Sequence, residues 1–215
     1  MTMKRYHGVE IDFDELNVDN LANGVGLEDL FEYKDLQDRK LYLTGEVTVW
    51  NTTDLIHKIL QYNADDKDIP VENRKPIRLY ITSEGGDVQS GFGLMDVITA
   101  SKTPVYTINL GYWYSMGLMI GLTGHKRYAA PNSSILLHDG SNFVYSSANK
   151  AQDQMEFFKK LDGRMKAIVL ERTKMTAKMY DKKARIEWYM LADEAKELGF
   201  VDYLIGTDCE LDEVL

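Results

Sequence analysis

PVYTINLGYWYSMGLM, residues 104–119, decides how the chain is read. The apolar run at 104–110 has strand character and ends at Gly111, and an apolar run of helical character begins at Ser115. A hydroxyl therefore stands where a strand hands over to a helix. The first turn of a helix carries backbone N–H groups without partners inside it and the positive end of the helix dipole. An oxyanion forming beside such a serine would find donors waiting, with the Met116 N–H among them. Serine is also a good helix cap, and these residues alone leave both readings of Ser115 open.

Working outward, the same strand-to-helix alternation recurs. RKLYLTGEV (39–47) reads as a short strand, and Thr52-Thr53-Asp54 opens a helix whose Leu55, Ile56, Ile59 and Leu60 share a face. Polar residues 65–75 form a loop. PIRLYIT (76–82) reads as a buried strand running into SEGGDVQSG, after which Leu94, Val97 and Ile98 mark another amphipathic helix. Downstream, HKRYAAPNSSILLHDG (125–140) supplies a strand, a turn at Pro131-Asn132, a second strand and a turn at Asp139-Gly140, and SNFVYSSANK is irregular. In residues 150–174, Phe158, Leu161, Met165, Ile168 and Arg172 recur at three- and four-residue steps. This pattern predicts one long helix with a narrow apolar stripe suited to packing against a second copy. Short helices around 176–183 and 192–198 follow, Gly199 closes the last, and FVDYLI (200–205) makes a final strand. Such alternation predicts an α/β fold with a mainly parallel sheet covered by helices. Residues 1–32, acidic and weakly periodic, are expected to form an N-terminal arm, 33–205 a single domain, and 206–215 a tail.

Composition narrows the function classes. A chain of 215 residues that is 44% hydrophobic can bury one substantial core. Its net charge of −9 argues against the clustered Lys and Arg surface that phosphate binding needs, so no nucleic-acid partner is expected. One cysteine, Cys209, excludes an intrachain disulfide framework and fits a reducing compartment. No apolar segment follows Lys4-Arg5 as in a secretory leader, and no run reaches the roughly 20 apolar residues of a membrane helix. The expectation is a cytoplasmic protein with no membrane partner.

Few groups are available for chemistry. Of the four histidines, His7 lies in the arm and His57 on the polar flank of a helix, where a solvated role is expected. His125 stands ten residues beyond Ser115, some 15 Å away at ~1.5 Å of rise per residue, and is excluded as a direct base. His138 ends an apolar strand at the edge where active sites of parallel sheets gather, as a base or as a satisfied core histidine. No Cys pair, HExxH or calcium-loop spacing is present, so neither metal nor cofactor is expected. The glycines of SEGGDVQSGFG match no phosphate-binding fingerprint and are flanked by Glu84 and Asp87. Gly85 and Gly86 instead let the backbone approach a substrate closely.

SEGGDVQSG, GYWYSMGLM, PNSSILLHDG and LADEAKELGFVD, in this order, resemble the motifs of ClpP, the proteolytic subunit of the Clp protease, in register from about Tyr33 to Ile205. The resemblance implies the ClpP/crotonase-like fold of repeated β-β-α units, with the helix at 150–174 as a protruding handle. It implies a serine endopeptidase that cuts peptides or unfolded proteins, with Ser115 as nucleophile and His138 as general base. Gly86 and Met116 would supply the oxyanion N–H groups, and Gly85, Glu84 and Tyr114 would border the substrate groove. The family's triad aspartate falls on Glu187, whose extra methylene moves the carboxylate by ~1.5 Å, and Asp181 is the reserve third member.

The resemblance also implies an assembly: seven-fold rings stacked as a pair, closing a chamber on which an ATP-driven AAA+ unfoldase docks. Phe158, Leu161, Met165 and Ile168 would then serve oligomerisation. Of the unfoldase-docking residues Tyr80 and Ile205 match, whereas Arg78 and Ala100 do not, and Ile186 stands where the family has an arginine before the triad acid. Tyr112-Trp113-Tyr114 replaces the small residues that usually precede the serine. Two alternatives to an active peptidase are a catalytically weak ring subunit that assembles with an active homologue, and a relative of the same broader fold acting on an acyl thioester.

Overall fold

Asn109, fully buried, sits where the central strand of the sheet changes neighbours, and that change places the site. The computed structural model describes residues 3–6, 9–12, 27–140 and 147–215, with side chains from residue 31 onward. Two compact units result, Met1–Lys40 and Leu41–Leu215. In the first, β1 (Met3–Tyr6) and β2 (Val9–Asp12) pair antiparallel, and α1 spans Leu27–Gln37. The weak periodicity of this acidic stretch did not signal any of these three elements. His7 and residues 141–146 of the irregular segment lie outside the described residues.

The second unit carries a seven-stranded sheet whose first strand, β3 (Lys40–Val47), begins one residue before it. α2 (Val49–Asp65) starts three residues earlier than Thr52, because Thr48 and Asn51 form a capping box in which each side chain takes the other's backbone N–H. β4 (Ile77–Gly86) runs through the whole SEGG segment, and Asp87 then caps α3 (Val88–Ala100) by accepting the Ser90 N–H at 2.7 Å.

β5 (Val105–Tyr114) does not stop at Gly111. Its first half pairs in parallel with β6 (Lys126–Ala129) and its second half with β7 (Ser134–Leu137). The sheet forks there, and Asn109 fills the fork: its side-chain amide donates to the Ser134 carbonyl at 3.1 Å and its oxygen accepts the Gly111 N–H at 3.1 Å. Trp113 points into the core against Gly121 of α4 (Met116–Leu122), where any Cβ would come within 2.5 Å of the indole. Every residue of α4 is buried, as expected of a helix that is apolar all round.

α5 (Ala148–Arg172) is the long helix, and only Val169 of its 25 residues is buried. α6 (Ala177–Lys183) leads to β8 (Trp188–Leu191), a short strand antiparallel to β7 that the sequence reading did not contain. After α7 (Ala192–Glu197), the two-residue β9 (Tyr203–Leu204) pairs with β6. Arg127 ties this end of the sheet together. Its guanidinium meets both oxygens of Asp202 and donates to the carbonyls of Arg172 and Gly199, so the half-buried charge has its hydrogen bonds satisfied.

Candidate active site

The fork in the sheet brings a serine and an imidazole together. β5 pairs with β7 as Tyr112↔Ser134, Trp113↔Ile135 and Tyr114↔Leu136, and the Ser115 N–H continues the ladder to the Leu136 carbonyl at 3.1 Å. The residues that follow the two strands are therefore neighbours at one sheet edge. His138 Nε2 lies 2.7 Å from Ser115 Oγ. Both side chains are half-buried.

Ser115 caps α4 by position but not by chemistry, since its side chain makes no capping hydrogen bond. Its backbone stands at φ 53, ψ −120, a conformation that a side chain strongly disfavours. Such strain persists only where the surroundings enforce it. Here a sharp strand-to-helix turn aims the hydroxyl away from the helix N–H groups and toward the imidazole. With the serine O–H donating to Nε2, the pair has the geometry in which a histidine can take a hydroxyl proton.

Gly85 and Gly86 form the opposite wall. Gly85 has φ +102, and a Cβ there would come within 2.6 Å of the Ser115 Cβ and 3.0 Å of the Met116 nitrogen. Its N–H is held by the buried Ser83 hydroxyl at 3.1 Å. Gly86 has φ +144, and a Cβ there would stand 2.4 Å from the Val47 carbonyl. Only glycine fits either position. Met116 is the first residue of α4, where the helix leaves the N–H without an internal acceptor. Glu84 is exposed beside this wall. On the other side, the Tyr114 hydroxyl hydrogen-bonds Ser134 at 2.8 Å, and its ring contacts Tyr112 at 4.8 Å and the edge of Tyr189 at 5.6 Å. The bulk before the serine is thus divided, with Trp113 inward, Tyr112 on Tyr114, and Tyr114 on Tyr189.

Among the described residues neither expected third member hydrogen-bonds the imidazole. One step beyond the last β7–β8 pair, Leu137↔Trp188, Glu187 comes opposite His138 in register. Its side chain is exposed and accepts the Tyr189 hydroxyl at 3.2 Å, a bond that raises the pKa of that tyrosine. Asp181 is bound to Lys166 at 2.5 Å. His125 accepts the Val105 N–H at 3.0 Å and is structural, and His57 is exposed. Phe158, Leu161 and Met165 are half-buried and line a cavity of about 210 Å³ beside Gly86, and Leu161 and Ile168 line a second one with Phe92 and Phe157. Tyr80 and Ile205 lie together, covered by the chain's own end. The Tyr80 hydroxyl donates to the Val214 carbonyl, and Ile205 clusters with Ile108, Tyr128, Cys209 and Val214. The sequence reading missed Tyr189 and Asp162. Asp162 carries a signal in retrospect, standing one turn beyond Phe158 and beside Leu161 of the apolar stripe.

A mainly parallel sheet with a serine–imidazole pair at the ends of two adjacent strands defines an α/β protein whose site suits acyl chemistry. The Clp protease family model matches residues 28–208. Over 195 residues the chain is 31% identical to the ATP-dependent Clp protease proteolytic subunit 2 of Corynebacterium efficiens, covering 89% of this chain and 94% of that protein. The chain belongs to the Clp protease family. The fold class expected from the sequence stands. Among the described residues no helix is long and apolar enough to cross a membrane, and no cluster of His, Cys, Asp or Glu could hold a metal ion.

Proposed function

We propose that this chain is a serine peptidase that cleaves peptides and unfolded chains through an acyl-enzyme on Ser115, inside a ring of like subunits in the cytoplasm. The observation that carries the reading is the strained Ser115 backbone holding Oγ 2.7 Å from His138 Nε2. Ser115 Oγ attacks the scissile carbonyl carbon while His138 takes its proton. The resulting oxyanion is received by the N–H groups of Gly86 and Met116. Collapse expels the amine, which takes the proton back from His138, and water then cleaves the ester by the same steps. Hydrolysis of an unstructured fluorogenic peptide by the purified chain tests this reading, and absence of turnover by an assembled particle would favour the catalytically weak subunit.

Glu187 is the proposed orienting carboxylate, and its register opposite His138 supports that role. The competing bond to Tyr189 favours the weak-subunit alternative, so the two variants are informative together. Glu187→Gln is expected to lower kcat by roughly 10²-fold or more, since an uncharged partner leaves the imidazolium uncompensated, whereas Tyr189→Phe is expected not to lower it. Unchanged activity in Glu187→Gln would make the site a dyad.

Assembly is proposed to run through α5. Its half-buried stripe is joined by Met155 and Phe157, both more than two-fifths exposed, and these apolar surfaces suit a contact between subunits. Native mass spectrometry is expected to show a seven-membered ring or its stacked pair rather than the 24.6 kDa chain, and Met155→Glu with Phe157→Glu is expected to reduce that mass. A monomeric parent would remove the compartment. At Tyr80 and Ile205 an unfoldase would have to displace Cys209 and Val214, so peptide hydrolysis is expected without one.

A further inference from the structure

The cavity of about 210 Å³ beside Gly86 is lined by Phe158, Leu161 and Met165 together with one carboxylate from α5, that of Asp162. The other acid at its rim, Asp87, already caps α3 through Ser90. Asp162 is different. Among the described residues its side chain has no salt bridge and no hydrogen bond, and Lys166, one turn further along the helix, is held by Asp181. Lys160 and Arg164 line the separate cavity with Phe92 and Phe157. Burial and then the charge of Asp139 hold the Asp162 carboxyl above the usual carboxylate range, and no cation offsets them. The acid is half-buried and unneutralised, beside the apolar Phe158, Leu161 and Met165 of its own helix and in a cavity that Asp87, Val88 and Gln89 also line.

The place of this cavity gives it a use. If the Gly86 N–H receives the oxyanion, the carbonyl it holds belongs to the residue on the acyl side of the scissile bond, whose side chain leaves the backbone close to Gly86. An apolar stem-binding wall ending in a carboxylate suits a side chain with a methylene stem and a cationic tip, because lysine and arginine bury their stems and keep the charge on a polar partner. We propose that this cavity receives the side chain preceding the scissile bond and that Asp162 makes it select lysine or arginine there. The proposal rests on the peptidase reading of Ser115. The chain's net charge of −9 acts in the same direction by drawing basic segments toward it.

The test uses two fluorogenic peptides that differ only in having Lys or Leu before the scissile bond, and two readouts. In hydrolysis by the parent, kcat/KM for the Lys peptide is expected to exceed that for the Leu peptide by about tenfold or more. In Asp162→Asn that ratio is expected to fall by about the same factor, with part of it restored in Asp162→Glu. In equilibrium binding of both peptides to Ser115→Ala, which needs no chemistry, the Lys peptide is expected to bind more tightly, and adding Asp162→Asn is expected to erase the difference. Equal binding of the two peptides, or a Lys preference that survives Asp162→Asn, overturns the assignment of the cavity even where Ser115 is reactive. An absence of hydrolysis with an Asp162-dependent Lys preference in binding overturns the peptidase reading and leaves the cavity assignment supported.

Discussion

Ser115→Ala is expected to remove hydrolysis of an unstructured peptide almost completely, with kcat falling on the order of 10⁴-fold or more, while the particle keeps its mass. The size of the effect follows from a nucleophile and its base acting as one unit, so that losing either removes nearly all that the pair supplies. Assembly is expected to survive for a structural reason: the Ser115 side chain makes no cap to α4, and among the described residues its hydroxyl hydrogen-bonds only His138. Alanine also keeps the Cβ that the strained backbone already tolerates. Turnover is read with a fluorogenic peptide and mass by native spectrometry. Parent-like turnover in this variant would mean that another group does the chemistry.

Gly85→Ala is the second large effect, and it comes from geometry rather than from loss of a reactive group. A methyl there would stand 2.6 Å from the Ser115 Cβ and 3.0 Å from the Met116 nitrogen, with the residue at φ +102. Both obstacles are backbone or backbone-adjacent atoms, so relief requires β4 to move away from the start of α4. Such a shift displaces the serine relative to the Gly86 N–H. Misplacement on the order of 1 Å costs roughly 10²-fold in rate, and kcat/KM is expected to fall by at least that much. Strain of about 1–3 kcal/mol should also lower the thermal midpoint. Gly206→Ala is the matched control: it has φ +80 but nothing within 4 Å of an added Cβ, so it is expected to carry the strain and keep the turnover. Near-parent kcat/KM in Gly85→Ala would show that the glycine wall does not set the serine's position.

What the sequence disclosed depended on how local the determining physics is. Apolar periodicity and glycine punctuation placed most strands and helices, whereas the positions of Ser115 and His138 at the ends of apolar strands made them candidates whose roles only the family resemblance assigned. The fork at Asn109 was not legible. A strand that changes partner midway leaves the same apolar pattern as one that ends, which is why β5 was expected to stop at Gly111 and instead continues to Tyr114. β8 was missed because four residues pairing with a distant strand carry too short a period to read. The partner of Glu187 depends on a single side-chain choice between an imidazole and the Tyr189 hydroxyl, which spacing along the chain does not encode. Asp162 was passed over because one acid on a mostly polar 25-residue helix looks like solvated surface until the fold sets it beside Gly86.

Intact mass after treatment with a small fluorophosphonate tests the central claim most directly, because the reagent needs only an activated serine and a neighbouring oxyanion site. The account predicts one adduct per chain, mapped to Ser115, absent from Ser115→Ala and from the denatured protein, and strongly slowed in His138→Ala. No adduct on an assembled particle, or an adduct on any other residue, would contradict it.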